Sequence, residues 1–453
     1  MSMQSGAETL KVKVDFSEKK GPVKPLHGVG QPPFYGLDFS MFQYLTDAGI
    51  PFSRLHDVGG WFGGSMFVDI PNLFPDFEKD PEDPASYDFT FTDMLISALM
   101  EASVEPVFRL GVSIENFVEI KAYRVFPPAD NLKWARICEG VIRHYTEGWA
   151  DGFYHKIRYW EIWNEPDNEE DPLKNPMWRG TMEQYFELYG TASRYLKNRF
   201  PHLKIGGYAS CGFYAVAGIE TDPNAKATAR EEYFVEYFEK FLEYVRTNGC
   251  PLDFFSWHSY ASIENTAIFA KYARRKLDEY GFTETETTCN EWNCEVFLRG
   301  TARHAAVTAA MMLSFQHLPV DSAMFYDARL GPSVYGSLFN PMTREPLPTY
   351  EAFLAFNELY KRGTETGLTF DGGTAGIYGA ASFDEEKGGA IVIANTSLRD
   401  RPLKCEIKGV NYHTVENRLL SDEGLAVGIS GCSFEECLPA VLPANSILTI
   451  ITE

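Results

Sequence analysis

The feature that most limits what this chain can fold into is a recurrence: a short apolar strand, a loop, then an amphipathic helix, eight times over. Strand ends fall near Gly30, His56, Gly111, Glu165, Ser210, Tyr260, Glu291 and Asp327. Helices are predicted at Phe39 to Ala48, Thr92 to Ala102, Trp134 to Tyr145, Met182 to Arg199, Glu231 to Thr247, Ala267 to Tyr280, Arg303 to Leu313 and Tyr350 to Tyr360, where apolar residues recur every three or four positions. Gly49 follows the first of these as a stop signal. Strand then helix, eight times, is the pattern of a (β/α)₈ TIM barrel in the α/β class, expected over residues 25–362. That span exceeds the roughly 250 residues of a typical barrel. The surplus lies after strand ends, in His56 to Tyr87, Gly111 to Leu132, Pro166 to Thr181, Ser210 to Arg230 and Asp327 to Pro348. All of these are βα loops, which gather at the face where barrel active sites lie.

Residues 363–453 have a different texture, with Gly-rich turns and short alternating runs such as Gly389 to Ala394, Leu403 to Ile407 and Ser446 to Ile451. They are expected to form an accessory all-β sandwich. Within residues 1–24, the alternating run Thr9 to Phe16 is expected to add a strand to it.

The chain has 63 acidic against 41 basic residues, a net charge of −22. Such a surface repels a phosphate backbone and anionic lipid, so neither nucleic acid nor membrane is expected as a partner. No apolar run approaches the roughly 20 residues of a membrane span. Aromatic residues make up 15% of the chain, enough for a large core and for faces on which a sugar can stack. The eight cysteines show no disulfide framework, and Met1 to Leu10 lacks the basic and apolar regions of a signal peptide. The resulting expectation is free thiols in the cytosol, with secretion left open for a chain whose leader has been removed. The nine histidines form no metal motif, and no G-x-G-x-x-G opens a helix, so no cofactor is expected.

Chemistry concentrates at two strand ends. In Trp160-Glu161-Ile162-Trp163-Asn164-Glu165-Pro166, alternation sets Glu161, Trp163 and Glu165 on one face, and Pro166 ends the strand. Glu161 reads as a buried carboxylate paired with a barrel arginine. Asn164 and Glu165 sit at the mouth, where both reach a ligand if the strand end bulges. The second stretch is Thr287-Thr288-Cys289-Asn290-Glu291-Trp292-Asn293. Glu165 and Glu291 are 126 residues apart, three units of 42, which puts them at the ends of the fourth and seventh strands. Those strands lie across the ring from each other. Two carboxylates about 5 to 5.5 Å apart are what a retaining glycosidase requires.

The W-N-E-P and N-E-W motifs, the run Tyr87-Asp88-Phe89-Thr90 leading to Pro106, and Phe52-Ser53-Arg54-Leu55-His56 together resemble glycoside hydrolase family 39, over nearly the whole chain. That family belongs to clan A, with a (β/α)₈ barrel and an accessory β-sandwich, and includes β-xylosidases and α-iduronidases. The resemblance implies Glu165 as acid/base and Glu291 as nucleophile. It implies Arg54 as a hydrogen-bond partner of the nucleophile, beside the alternative of an ion pair with Glu161. Asn164 would bond the sugar's 2-hydroxyl, His56 another hydroxyl, Tyr260 would donate to Glu291, and His258 would support Glu165 or the sugar ring. Trp61, flanked with Phe62 by Gly59, Gly60, Gly63 and Gly64, is assigned to sugar stacking, and Trp292 and Tyr326 to the substrate. Burial and the charge on Glu291 are expected to raise the Glu165 pKa towards about 6 to 7.

The chain departs from the family's pattern at Phe108-Arg109-Leu110-Gly111, where the β-xylosidases carry an acidic residue, at Trp292, bulkier than the family's residue after the nucleophile, and in Tyr326-Asp327-Ala328-Arg329 with the loop to Pro348. The expected activity is a retaining exo-glycosidase on a carbohydrate substrate, first a β-D-xylosidase. An arabinosidase, glucosidase or galactosidase is the alternative, then a uronidase using Arg109 or Arg329, and last a non-catalytic carbohydrate-binding barrel. The sequence is compatible with a homo-oligomer.

Overall fold

The computed structural model describes residues 8–36, 39–58, 68–113, 124–221, 226–331, 334–410, 414–430 and 438–452. After β1 (Leu10–Pro22) come β2 (Gly28–Gly30), β3 (Phe52–Leu55), β4 (Glu105–Leu110), β5 (Tyr159–Ile162), β6 (Lys204–Ser210), β7 (Phe254–Ser259), β8 (Glu286–Trp292) and β9 (Ser322–Tyr326). Strands β2 to β9 pair in parallel in chain order, and β9 closes onto β2 through Phe325 and Val29. Outward-facing aromatics seat the barrel in its helical ring: Trp160 stacks on Phe108 with centroids 5.1 Å apart, and Phe238 stacks on Phe255 at 4.5 Å.

The helices start where side chains can absorb their free N–H groups. Thr181 with Gln184 and Thr228 with Glu231 form capping boxes for Met182–Arg199 and Ala229–Thr247. Asp130, Ser262 and Thr301 cap three more. Gly49 turns the chain at φ +55 after Phe42–Asp47, and a Cβ there would strike the Asn357 side chain. The residue must therefore be small for two separate reasons.

The rest of the chain adds β10 (Thr364–Asp371), β11 (Ile377–Asp384), β12 (Gly388–Asn395), β13 (Arg401–Lys408), β14 (Val415–Ser421), β15 (Gly424–Ser430), β16 (Val441–Leu442) and β17 (Ser446–Thr452). With β1 they make a nine-stranded sheet in the order β15-β14-β17-β12-β11-β10-β1-β13-β16, curled as a β-sandwich. Its own core includes Val12, Val14, Ile391, Ile393, Leu448 and Ile450. β1 runs antiparallel to β10 and parallel to β13. Helices Ala302–Gln316 and Thr349–Tyr360 lie between sheet and barrel, which explains why the first is buried on almost every face. Among the described residues, none beyond Gly363 lines the cavity at the barrel mouth. No described helix is long and apolar enough to cross a membrane. The six described cysteines, Cys138, Cys211, Cys250, Cys289, Cys294 and Cys405, are unpaired.

Candidate active site

The end of β5 does not alternate as its sequence predicts. Trp163 takes φ +74 and Glu165 φ +44, a backbone form that bulky residues adopt only when their surroundings hold them. The hold is visible. The Trp163 indole donates to the Met177 carbonyl at 2.8 Å and lies edge-on to Trp178, while the Glu165 N–H donates to Ala209 O at 3.1 Å. Trp163 thus leaves the face it was expected to share with Glu161 and Glu165. The turn it makes lets Asn164 and Glu165 line the cavity together. β8 does the same. Its register slips against β7 and β9 on either side of Asn290 and Glu291, so both reach the interior. Asn290 donates to Glu161, and Glu291 faces the cavity.

The two carboxylates meet as their strand positions require. One carboxylate oxygen each of Glu165 and Glu291 and one ring nitrogen of His258 all lie within 4.8 Å of one another. Such a trio has the spacing of a cation site. Contacts it already makes account for the closeness: His258 Nδ1 is hydrogen-bonded to Glu165 Oε1 at 2.7 Å, and His258 Nε2 lies at ion-pair distance, 3.5 Å, from Glu291 Oε2. Glu291 also accepts from Tyr260 Oη at 2.5 Å and Arg54 Nη1 at 3.1 Å. Arg54 serves both partners considered for it, since its Nε donates to Glu161 at 2.8 Å and its Nη2 to Asn164 Oδ1 at 2.5 Å. With its oxygen so engaged, Asn164 keeps its amide N–H groups for a ligand.

The electrostatics differ from the expectation in one respect. Burial pushes the Glu165 carboxyl up, but the His258 and Asn168 hydrogen bonds and the charge on Arg54 outweigh it and hold Glu165 below its ordinary value. Burial alone would lower His258, yet Glu291 and Glu165 raise it. Both shifts favour ionised Glu165 beside a protonated His258 across their 2.7 Å contact. His56 is kept neutral by burial and by Arg109 and Arg54.

A cavity of about 690 Å³ opens over these groups. His56, Asn164, Glu165, Tyr260, Glu291 and Tyr326 line it. Tyr326 Oη accepts from Gln31 and donates to Asp57, which also lies 3.4 Å from His56. His258, Arg54 and Glu161 stand behind that lining. Two assignments fail. Trp292 is fully buried with its ring edge-on to Phe315 and Phe325, because the β8 bulge turns it outward into the helical layer. Arg109 is turned away to Asp69 at 2.5 Å and Ser113 at 3.2 Å, whereas Arg329 does line the cavity. Trp61 lies outside the described residues, as do Phe62 and its flanking glycines. Asp57, Asn168, Arg230 and Tyr335 line the cavity without having been expected there. Three come from loops and Arg230 from the start of a helix, where strand alternation offers no guide; only the position of Asn168, three residues past Glu165, was a usable signal.

The model of glycosyl hydrolases family 39 matches residues 68–297, just over half of the 453-residue chain. A β-xylosidase of Geobacillus stearothermophilus is 26% identical over 268 residues, 57% of this chain and 44% of that one. A β-xylosidase of Caldicellulosiruptor saccharolyticus is 27% identical over 222 residues, 47% of this chain and 37% of that one. The match thus spans less than half the length of these curated relatives. Among solved structures, a glucosidase from Croceicoccus marinus superposes with a TM-score of 0.76 at 21% identity, covering 98% of this chain and 99% of that one. A monomeric β-xylosidase from Caulobacter crescentus CB15 gives 0.69 at 17% identity, covering 97% and 98%. At these identities the two structures speak for the fold.

Proposed function

This chain belongs to glycosyl hydrolases family 39, and on that basis we propose that it is a retaining exo-glycosidase whose first substrates are small β-D-xylosides. The observation that carries the reading is the approach of Glu165 and Glu291 to within 4.8 Å. Inverting enzymes need about 6.5 to 9.5 Å to admit a water between their carboxylates. Glu291 attacks the anomeric carbon, held in line by Tyr260 and Arg54. Glu165, in contact with His258 at 2.7 Å, protonates the leaving oxygen. Once Glu291 is glycosylated its negative charge is gone, and Glu165 accepts a proton from the attacking water. Asn164 directs its free N–H groups at the sugar's 2-hydroxyl, a bond that strengthens as positive charge grows on the ring.

Arg329 on the cavity wall favours a second reading, a glycoside with an acidic sugar. One experiment addresses both: hydrolysis of aryl β-xylosides, β-glucosides, β-galactosides, α-arabinosides and uronides under one set of conditions. Highest kcat/KM on the xyloside is expected. Preference for a uronide would move the assignment to the second reading, and inactivity on every glycoside would end the proposal.

A further inference from the structure

Asn168 Nδ2 donates to Glu165 Oε2 at 2.7 Å. A carboxamide can offer either its N–H groups or its oxygen, and a flip exchanges them. Arg230 removes the choice. Its Nε donates to the Asn168 main-chain oxygen at 2.7 Å and its Nη2 to Asn168 Oδ1 at 3.0 Å. A guanidinium only donates, so the Asn168 oxygen must face Arg230 and its nitrogen must face Glu165. Arg230 sits at the start of helix Ala229–Thr247, 62 residues further along the chain, with its guanidinium 4.8 Å from the ring centre of the buried Phe234. The loop after β5 and the start of helix Ala229–Thr247 are joined at the atom that orients the carboxylate.

We propose that Arg230 is a positioning residue for Glu165, acting through Asn168 so that an N–H and never the amide oxygen meets the carboxylate. The inference rests on the reading of Glu165 as acid/base. A donor on Oε2 favours ionised Glu165, the form that must activate water in the second step, and opposes burial, which favours the acid. The other groups around Glu165 have set parts. His258 on β7 donates to the opposite oxygen, Arg54 adds positive charge from β3, Glu291 from β8 adds negative charge, and Asp167 along the chain, raised by burial to about 7, adds negative charge only above that pH. Tyr214, Tyr260 and Cys211 stay protonated, since burial raises each of them.

The test follows kcat/KM against pH, on the aryl glycoside the wild type cleaves best, for Arg230→Lys, Asn168→Ala and the double variant. Arg230→Lys keeps the charge and loses the two-point grip. A hydrogen bond to a charged group is worth about 1.5 to 3 kcal/mol, so losing this one should raise the alkaline limb by about one to two pH units. Both single variants should show that rise, and the double variant no more than Asn168→Ala alone. An alkaline limb unchanged in Arg230→Lys, or shifts that add in the double variant, would overturn the proposal. If Arg230→Lys does not fold, an unchanged limb in Asn168→Ala overturns it equally. A Glu165→Gln variant that keeps the wild-type limb would instead remove the acid/base reading on which it stands.

Discussion

Arg54 donates through Nε to Oε2 of Glu161 at 2.8 Å, deep in the barrel, with both side chains at most 1% exposed. The same guanidinium holds Glu291 and Asn164, so one buried cation joins a structural carboxylate to the reacting end of the site. Removing one partner of a buried pair leaves an uncompensated charge and costs about 3 to 5 kcal/mol. Glu161→Ala should lose that much by urea unfolding and reduce kcat, because Asn290 loses its acceptor as well. A loss under about 1 kcal/mol would mean that Arg54 is neutralised by Glu291 alone.

Asp327 is fully buried, and burial raises its carboxyl to about 7. Its Oδ1 accepts the Arg329 N–H at 3.2 Å, while Oδ2 has no hydrogen-bond partner and lies 3.7 Å from Arg329 Nη2. An unfolded aspartate ionises near 3.9. Between roughly pH 4 and pH 7 the folded chain therefore holds more protons than the unfolded chain, and stability falls as pH rises. Asp327→Asn keeps the oxygen that Arg329 needs and cannot ionise. It should gain on the order of 1 to 3 kcal/mol over wild type at pH 8 and nothing at pH 4, read from denaturant midpoints at both values. An equal effect at the two values would mean that Asp327 is not the titrating group.

How legible all this was depends on what positions each residue. The eight strand ends and the two carboxylates follow from periodicity and spacing, because a barrel sets its inward residues by register and closure. What alternation could not show is where a strand stops alternating. The bulges at Trp163 and around Asn290 and Glu291 send the tryptophan of each motif out of the mouth and bring a polar neighbour in. The direction of the Glu165 shift was equally hidden. It depends on His258 and Asn168 reaching opposite oxygens of one carboxylate, and their distances are set by tertiary packing.

Trp292 and Tyr326 should separate cleanly in a mutational series. Trp292 packs against Phe315 and Phe325 outside the barrel wall, so Trp292→Ala should cost about 3 to 5 kcal/mol in stability with KM nearly unchanged. Tyr326 lines the cavity and joins Gln31 to Asp57 through its hydroxyl. Tyr326→Phe should cost about 1 kcal/mol in stability and raise KM several-fold. The opposite pattern, KM rising in the first and not in the second, would restore Trp292 to the sugar site.

The two carboxylates are told apart by the configuration of a rescued product. An aryl glycoside with an acidic phenol needs little protonation, so Glu165→Ala should still form the glycosyl-enzyme. It should then accumulate it for want of a base, giving a burst and a low apparent KM. Azide needs no base, and its attack on the intermediate yields a product that keeps the substrate's anomeric configuration. Glu291→Ala lacks the attacking oxygen, so no burst should appear with any leaving group, and azide should enter from the vacated side to give inversion. General acid–base assistance contributes about 10² to 10⁴-fold, so the loss in Glu165→Ala should be large on poor leaving groups and small on good ones. Product configuration by NMR decides the matter. A retained azide from Glu291→Ala and an inverted one from Glu165→Ala would exchange the two roles, and the Tyr260 and Arg54 hydrogen bonds would then serve the acid and not the nucleophile.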